Sequence, residues 1–183
     1  MECELLFGCE LMSRITIDNV TAAICKVSAM SLREREELAE EIYRCQPQML
    51  ACCMVQSRLG VGPTAVEFLL NILLVCYQSM KESGLQWPVI TEDGQERQMQ
   101  RRIGAVQFSE HEAGPAADAA LAQYASQHPE QPLLAFVLGE TNEWLREISQ
   151  RNSEAKCDKF VMMASMNLVN CIAAAPATST VHG

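Results

Sequence analysis

Cysteine, methionine and histidine are the residue types here with the richest chemistry, and the chain holds nine, ten and three of them. The densest group is Met49, Cys52, Cys53 and Met54. Thiolate and thioether ligands select Cu(I). Adjacent cysteines on a helix, however, diverge by about 100° of rotation, so both seldom face one ion. Met162, Met163 and Met166 form a second soft group. The simpler account of both groups is that flexible sulfur side chains fill an irregular helical core. As nucleophiles, Cys52 and Cys53 stand out for their clustering, and Cys157 for its flanking Lys156 and Lys159, whose charge favours thiolate. These three are the candidate reactive thiols, and a thiol-based redox sensor would rest on them.

The histidines argue against the common metal centres. A di-iron bundle requires Glu-x-x-His pairs, but Phe108, Ala125 and Ser179 stand three residues before His111, His128 and His182. His111-Glu112 has no second His at helical spacing, so the zincin pattern fails. Each His is expected at the surface or at a helix end. The turn Gly60-Val61-Gly62-Pro63-Thr64 precedes a helix but has no Lys after it and no strand before it, so it matches neither phosphate-binding fingerprint. No Cys-x-x-Cys occurs, which removes zinc ribbons and thioredoxin-type pairs. No catalytic, metal or cofactor site is implied.

Charge narrows the partners. Fourteen basic against 23 acidic residues give a net charge of −9. That disfavours nucleic acid and anionic membrane surfaces. The one tight basic cluster, Arg97, Arg101 and Arg102, reads as a solvated helix face, as does the acidic run Glu34–Glu41. The cysteine count is odd and no secretory leader is visible, so the thiols are expected reduced, in the cytoplasm. The runs Phe68–Tyr77 and Phe160–Ala175 are apolar but interrupted by Asn or Ser, and a membrane span takes about 20 apolar residues.

The elements that must position these residues are helices. Residues 1–17 read as a poorly structured N-terminal extension, within which Met12 reads as a natural start. Asp18 is expected to cap a helix with Val20, Ile24 and Val27 on one face. Ser31 and Glu34 form a capping box for a charged helix with Leu38, Ile42 and Cys45 inward. After Gln46-Pro47, a helix over 48–59 is apolar almost all round, which predicts burial. Gly60 and Gly62 end it, and Pro63 opens a helix closed by Gly84. Residues 85–114 form a variable segment: Trp87-Pro88 reads as extended, and Asp93 either turns a hairpin with Gly94 or, preferably, caps a helix with Met99, Ile103 and Val106 inward. Residues 116–127 read as an Ala-rich helix. The clearest stripe follows Pro132: Leu134, Val137, Leu138, Thr141, Leu145 and Ile148. A last helix spans about 153–174, and 175–183 is a flexible tail.

The fold class is therefore all-α, a compact bundle of about six to eight helices. The single domain covers 18–174. Gln46-Pro47 and Gln131-Pro132 each precede two apolar helices, which suggests an internal repeat of two three-helix units, in halves 18–84 and 115–174. Three helices, 48–59, 64–83 and 154–174, are apolar on more than one face. That surplus suggests a non-catalytic interaction or assembly protein, with a protein partner or a homodimer. The alternative is a bundle that binds an apolar small molecule among its Met and Cys side chains.

Overall fold

A computed structural model describes residues 13–109, 122–150 and 158–179, the side chains at 102–109, 149, 150 and 158 excepted. The chain is all-α, with one minimal two-stranded ribbon among the described residues. The first helix, α1 (Ile17–Ala29), is capped by Thr16 and not by Asp18. Thr16 Oγ1 accepts the Asn19 N–H at 3.3 Å, and Asn19 Oδ1 accepts the Thr16 N–H at 2.9 Å. This reciprocal box satisfies two otherwise orphaned donors and leaves Asp18 in the first turn, where its charge suits the helix dipole. Val20, Ala23 and Val27 face inward.

The second helix, α2 (Leu32–Cys45), opens on the Ser31–Glu34 box that its sequence predicts. It buries Leu38 and Ile42, whereas Cys45 is exposed. Gln46 ends α2 and starts α3 (Pro47–Met54), with Pro47 in the first turn. A 3₁₀ turn (Val55–Leu59) follows in place of a continuous helix, and Gly60 stops it at φ 85°. Left-handed backbone is open to glycine at no steric cost. Helix α4 (Pro63–Glu82) is the centre of the molecule: every residue from Ile72 to Met80 is buried, and α1, α2, α3 and two later helices pack around it. By length and composition α4 could cross a membrane; in the fold, 67% of its apolar window is buried inside the protein.

Gly84 turns the chain into β1 (Leu85–Gln86), which pairs antiparallel with β2 (Thr178–Ser179). Residues 175–179 are thus held in the fold, with Ala175 buried against the core, where a free tail was expected. Helix α5 (Glu92–Ser109) confirms the helical choice for this segment, with its cap moved to Thr91, whose Oγ1 accepts the Gly94 N–H at 3.2 Å. Met99 is half-buried, and the side chains of Ile103 and Val106 lie outside the described set. A helical segment at 122–127 precedes α6 (Gln131–Gln150) and α7 (Asp158–Ala174). On α6 the predicted stripe is buried at Leu134, Val137 and Thr141 and half-buried at Leu138, Leu145 and Ile148. Trp144 stacks on Phe68 of α4 at 5.0 Å. Helix α7 is the second central helix, with Ala164 through Val169 all buried.

One continuous core draws on α1 to α4, α6 and α7, so the described parts of both sequence halves share it. The two Gln-Pro dipeptides sit differently. Gln46-Pro47 straddles the start of an eight-residue helix, whereas Gln131 and Pro132 both lie inside a 20-residue helix.

Candidate functional site

The densest polar cluster joins four distant pieces of chain around Glu130. Its backbone carbonyl accepts the Leu134 N–H at 2.9 Å, which makes Glu130 the N-cap of α6. Its carboxylate is fully buried. Oε1 takes Arg14 Nε at 2.7 Å and Oε2 takes the Ile15 N–H at 3.0 Å. Burying a carboxylate is costly unless it is paired and hydrogen-bonded, and this one is both. The Arg14 guanidinium also donates to the carbonyls of Ile172 (3.0 Å), Ala173 (2.9 Å) and Ala175, at the C-terminus of α7. A cation there complements the helix dipole and satisfies orphan carbonyls. The same guanidinium lies 4.8 Å from the ring centroid of Trp87. Trp87 Nε1 in turn donates to Met80 O and Ser83 Oγ, each at 3.1 Å.

His128 completes the junction and is buried at a helix end, not at the surface. Nδ1 accepts the Glu130 N–H at 3.1 Å, so the ring proton resides on Nε2, 3.2 Å from Asn170 Oδ1 on α7. Tyr124 Oη donates to the same Oδ1 at 2.5 Å. Burial pushes the imidazole below its ordinary value, against weaker upward pulls from Asn170 and Glu130. With Nδ1 occupied by a backbone donor, His128 has no free lone pair to act as a general base.

The cysteines form a second cluster, at the meeting of α3, α4 and α7. Cys52, Cys53, Cys76 and Cys171 are buried, while Cys25 and Cys45 are exposed. Cys53 Sγ donates to Leu69 O at 3.7 Å, and Asn167 Nδ2 lies 3.9 Å from Cys52 Sγ. Burial pushes the thiols of Cys76 and Cys171 up to about 12. It raises Cys53 well above its usual range, and Cys52 less. A thiol held protonated is a poor nucleophile and a poor metal ligand at neutral pH. Cys157 lies outside the described residues. The soft group around Met49 is split: Met49, Cys52 and Cys53 face the core, while Met54 faces outward. Among the described residues no three His, Cys, Asp or Glu side chains are grouped to hold a metal ion.

The arginine pair Arg97 and Arg101 lines an open groove on α5 with Asp93, Glu96 and Gln100, a surface of mixed sign. His111 and His182 are outside the described residues. The junction around Arg14, His128 and Glu130 has no sequence signal: Arg14 and Glu130 are 116 residues apart, and Glu is not a favoured N-cap.

No protein-family model, curated protein or solved structure matches this chain.

Proposed function

We propose that the chain is a non-catalytic interaction protein that self-associates through the outer face of α3 and the 3₁₀ turn. One observation carries this reading. Of the three helices with surplus apolar surface, α4 and, apart from Phe160 at its start, α7 absorb theirs into the core, and α3 with its 3₁₀ extension leaves three large apolar side chains outside. Its inner face buries Met49, Cys52, Cys53 and Gln56. Its outer face shows Ala51, Met54, Val55, Arg58 and Leu59, spaced as one helical stripe, with Met54 47%, Val55 41% and Leu59 53% exposed.

Charge favours a second copy of the chain as occupant. Between Gln46 and Leu59 the only charged residue is Arg58, in a protein of net charge −9. Two copies that met through α2, with five glutamates against three arginines, would oppose two net negative faces; two that met through α3 would oppose only one Arg58 from each. Four small or medium apolar side chains fall well short of the roughly 800 Å² per partner of a stable interface. The association is therefore weak, suited to a cytoplasmic protein whose assembly follows its local concentration.

Sedimentation velocity from about 5 to about 500 μM tests this. The wild type is expected to move from monomer toward dimer with concentration. A Met54→Glu, Leu59→Glu double variant is expected to stay monomeric with the wild-type circular dichroism and melting curve. A wild type that is monomeric throughout, or a variant that dimerises equally well, overturns the proposal.

A further inference from the structure

We propose that the His128 junction is an acid-released latch on the segment Ser13–Thr16: the neutral imidazole holds it closed, and a proton on Nδ1 opens it. The geometry allows one neutral tautomer. Nδ1 accepts the Glu130 N–H at 3.1 Å and Nε2 faces Asn170 Oδ1 at 3.2 Å. A second proton can go only on Nδ1, where it meets the Glu130 N–H head on. Two donors then face each other, and a backbone N–H at a buried helix start loses its acceptor. Glu130 is also the residue that grips the segment, through Arg14 Nε and the Ile15 N–H. Ser13 Oγ accepts from the next residue in line, the Gln131 N–H, at 3.2 Å. Displacing Glu130 therefore loosens every polar tie of the segment to α6.

The groups that face the ring are few among the described residues. Glu130 contributes its carboxylate from the start of α6, already bonded to the Arg14 guanidinium of the N-terminal segment. Tyr124 comes from the helical segment 122–127, with ring centroids 5.6 Å apart. From α7 comes the neutral amide of Asn170. The carboxylate would welcome an imidazolium, yet its charge is already shared with Arg14, and burial has the larger influence on the ring. The sign follows. The imidazole titrates below its ordinary 6.5 in the folded protein, so under acid the unfolded chain binds the proton more readily. The latch's contribution to stability is complete above 6.5. It is lost as the pH falls through the lower folded-state value.

The test is native-state hydrogen exchange, corrected for intrinsic rates, between pH 7.5 and 4.5, with the Ile15 and Glu130 amides as reporters and Leu73 of α4 as the core control. The expected result is a loss of protection at Ile15 and Glu130 of at least about fivefold, the equivalent of one hydrogen bond, with both amides less protected than Leu73 throughout because they exchange by local opening. The loss should share its midpoint with the titration of the His128 ring protons in NMR spectra. In His128→Asn, whose Oδ1 can accept the Glu130 N–H but does not titrate, protection should be high and flat with pH. Wild-type protection at Ile15 that ignores pH, protection at Ile15 as high as at Leu73, or a midpoint separate from that of His128 overturns the latch. All three are read on the wild type alone, so they stand even if the variant does not fold.

Discussion

Glu130 shows how much rests on one buried charge. Its carboxylate is fully enclosed, so its two bonds to the N-terminal segment are its substitute for water. Arg14→Ala leaves that charge without its cation. We expect a loss of about 3 kcal/mol, which in a chain of this size lowers Tm by roughly 10 °C. Adding Glu130→Ala to it should cost much less than the two single losses summed, and a thermodynamic double-mutant cycle reads that difference. Additive losses would mean that the pair is not coupled. Thr141 makes the opposite case. It is fully buried on α6, and its hydroxyl has no partner among the described residues. Thr141→Val keeps the shape and removes the unpaired oxygen, so chemical denaturation should show a gain of about 1 kcal/mol. At this scale the sequence was nearly silent. Arg14 and Glu130 look like any surface ion-pair residues until the fold brings them together, and His128-Pro129 reads only as a break. The thiols were visible as a cluster, but their burial, which decides their reactivity, depends on which face of α3 turns inward.

Local rules of capping and termination account for most of the elements. The Ser31–Glu34 box, Pro63 at a helix start, and Gly60 and Gly84 as terminators are all where their chemistry places them. The errors are shifts of two residues among neighbours with similar capping ability: Thr16 in place of Asp18, and Thr91 in place of Asp93. At the first of these the winner has a partner to complete the motif, the amide side chain of Asn19 reaching back to Thr16. The 3₁₀ turn after Met54 has no comparable signal, because its residues suit either helix type. The glycines that bracket it differ in a testable way. Gly60 has φ 85°, whereas Gly62 does not adopt left-handed backbone, and at both a methyl group would have no atom within 4 Å of it. Gly60→Ala should destabilise by about 1 kcal/mol through backbone strain, and Gly62→Ala should stay within about 0.5 kcal/mol of wild type. Equal melting curves for the two variants would contradict the conformational argument.

At the scale of the molecule, two helices carry the core. Substitutions on the inner surfaces of α4 and α7, such as Leu73→Ala or Leu168→Ala, should each cost about 2–5 kcal/mol in urea titrations. Val55→Ala, on the outer stripe of α3, should change stability by no more than about 0.5 kcal/mol. That contrast separates apolar residues that hold the fold from those left over for association. The all-α class was legible from helical periodicity alone, and α4 and α7 from runs too apolar for one face. What periodicity lacks is long-range placement. It could not show that the last residues of α7 and the strand Thr178–Ser179 close against Leu85–Gln86, because two-residue strands carry no pattern of their own.

The reach of Arg14 has a consequence for how the chain is made. Its hydrogen-bond partners lie 116 to 161 residues further along. At a synthesis rate of about 5–20 residues per second, Arg14 is made on the order of ten to thirty seconds before the last of them. The N-terminal segment must wait in solution through that interval, with Ile15 uncovered. Whatever folds first in this protein, the segment Ser13–Thr16 is among the last parts to settle, and a chain cut short before α6 can never fasten it.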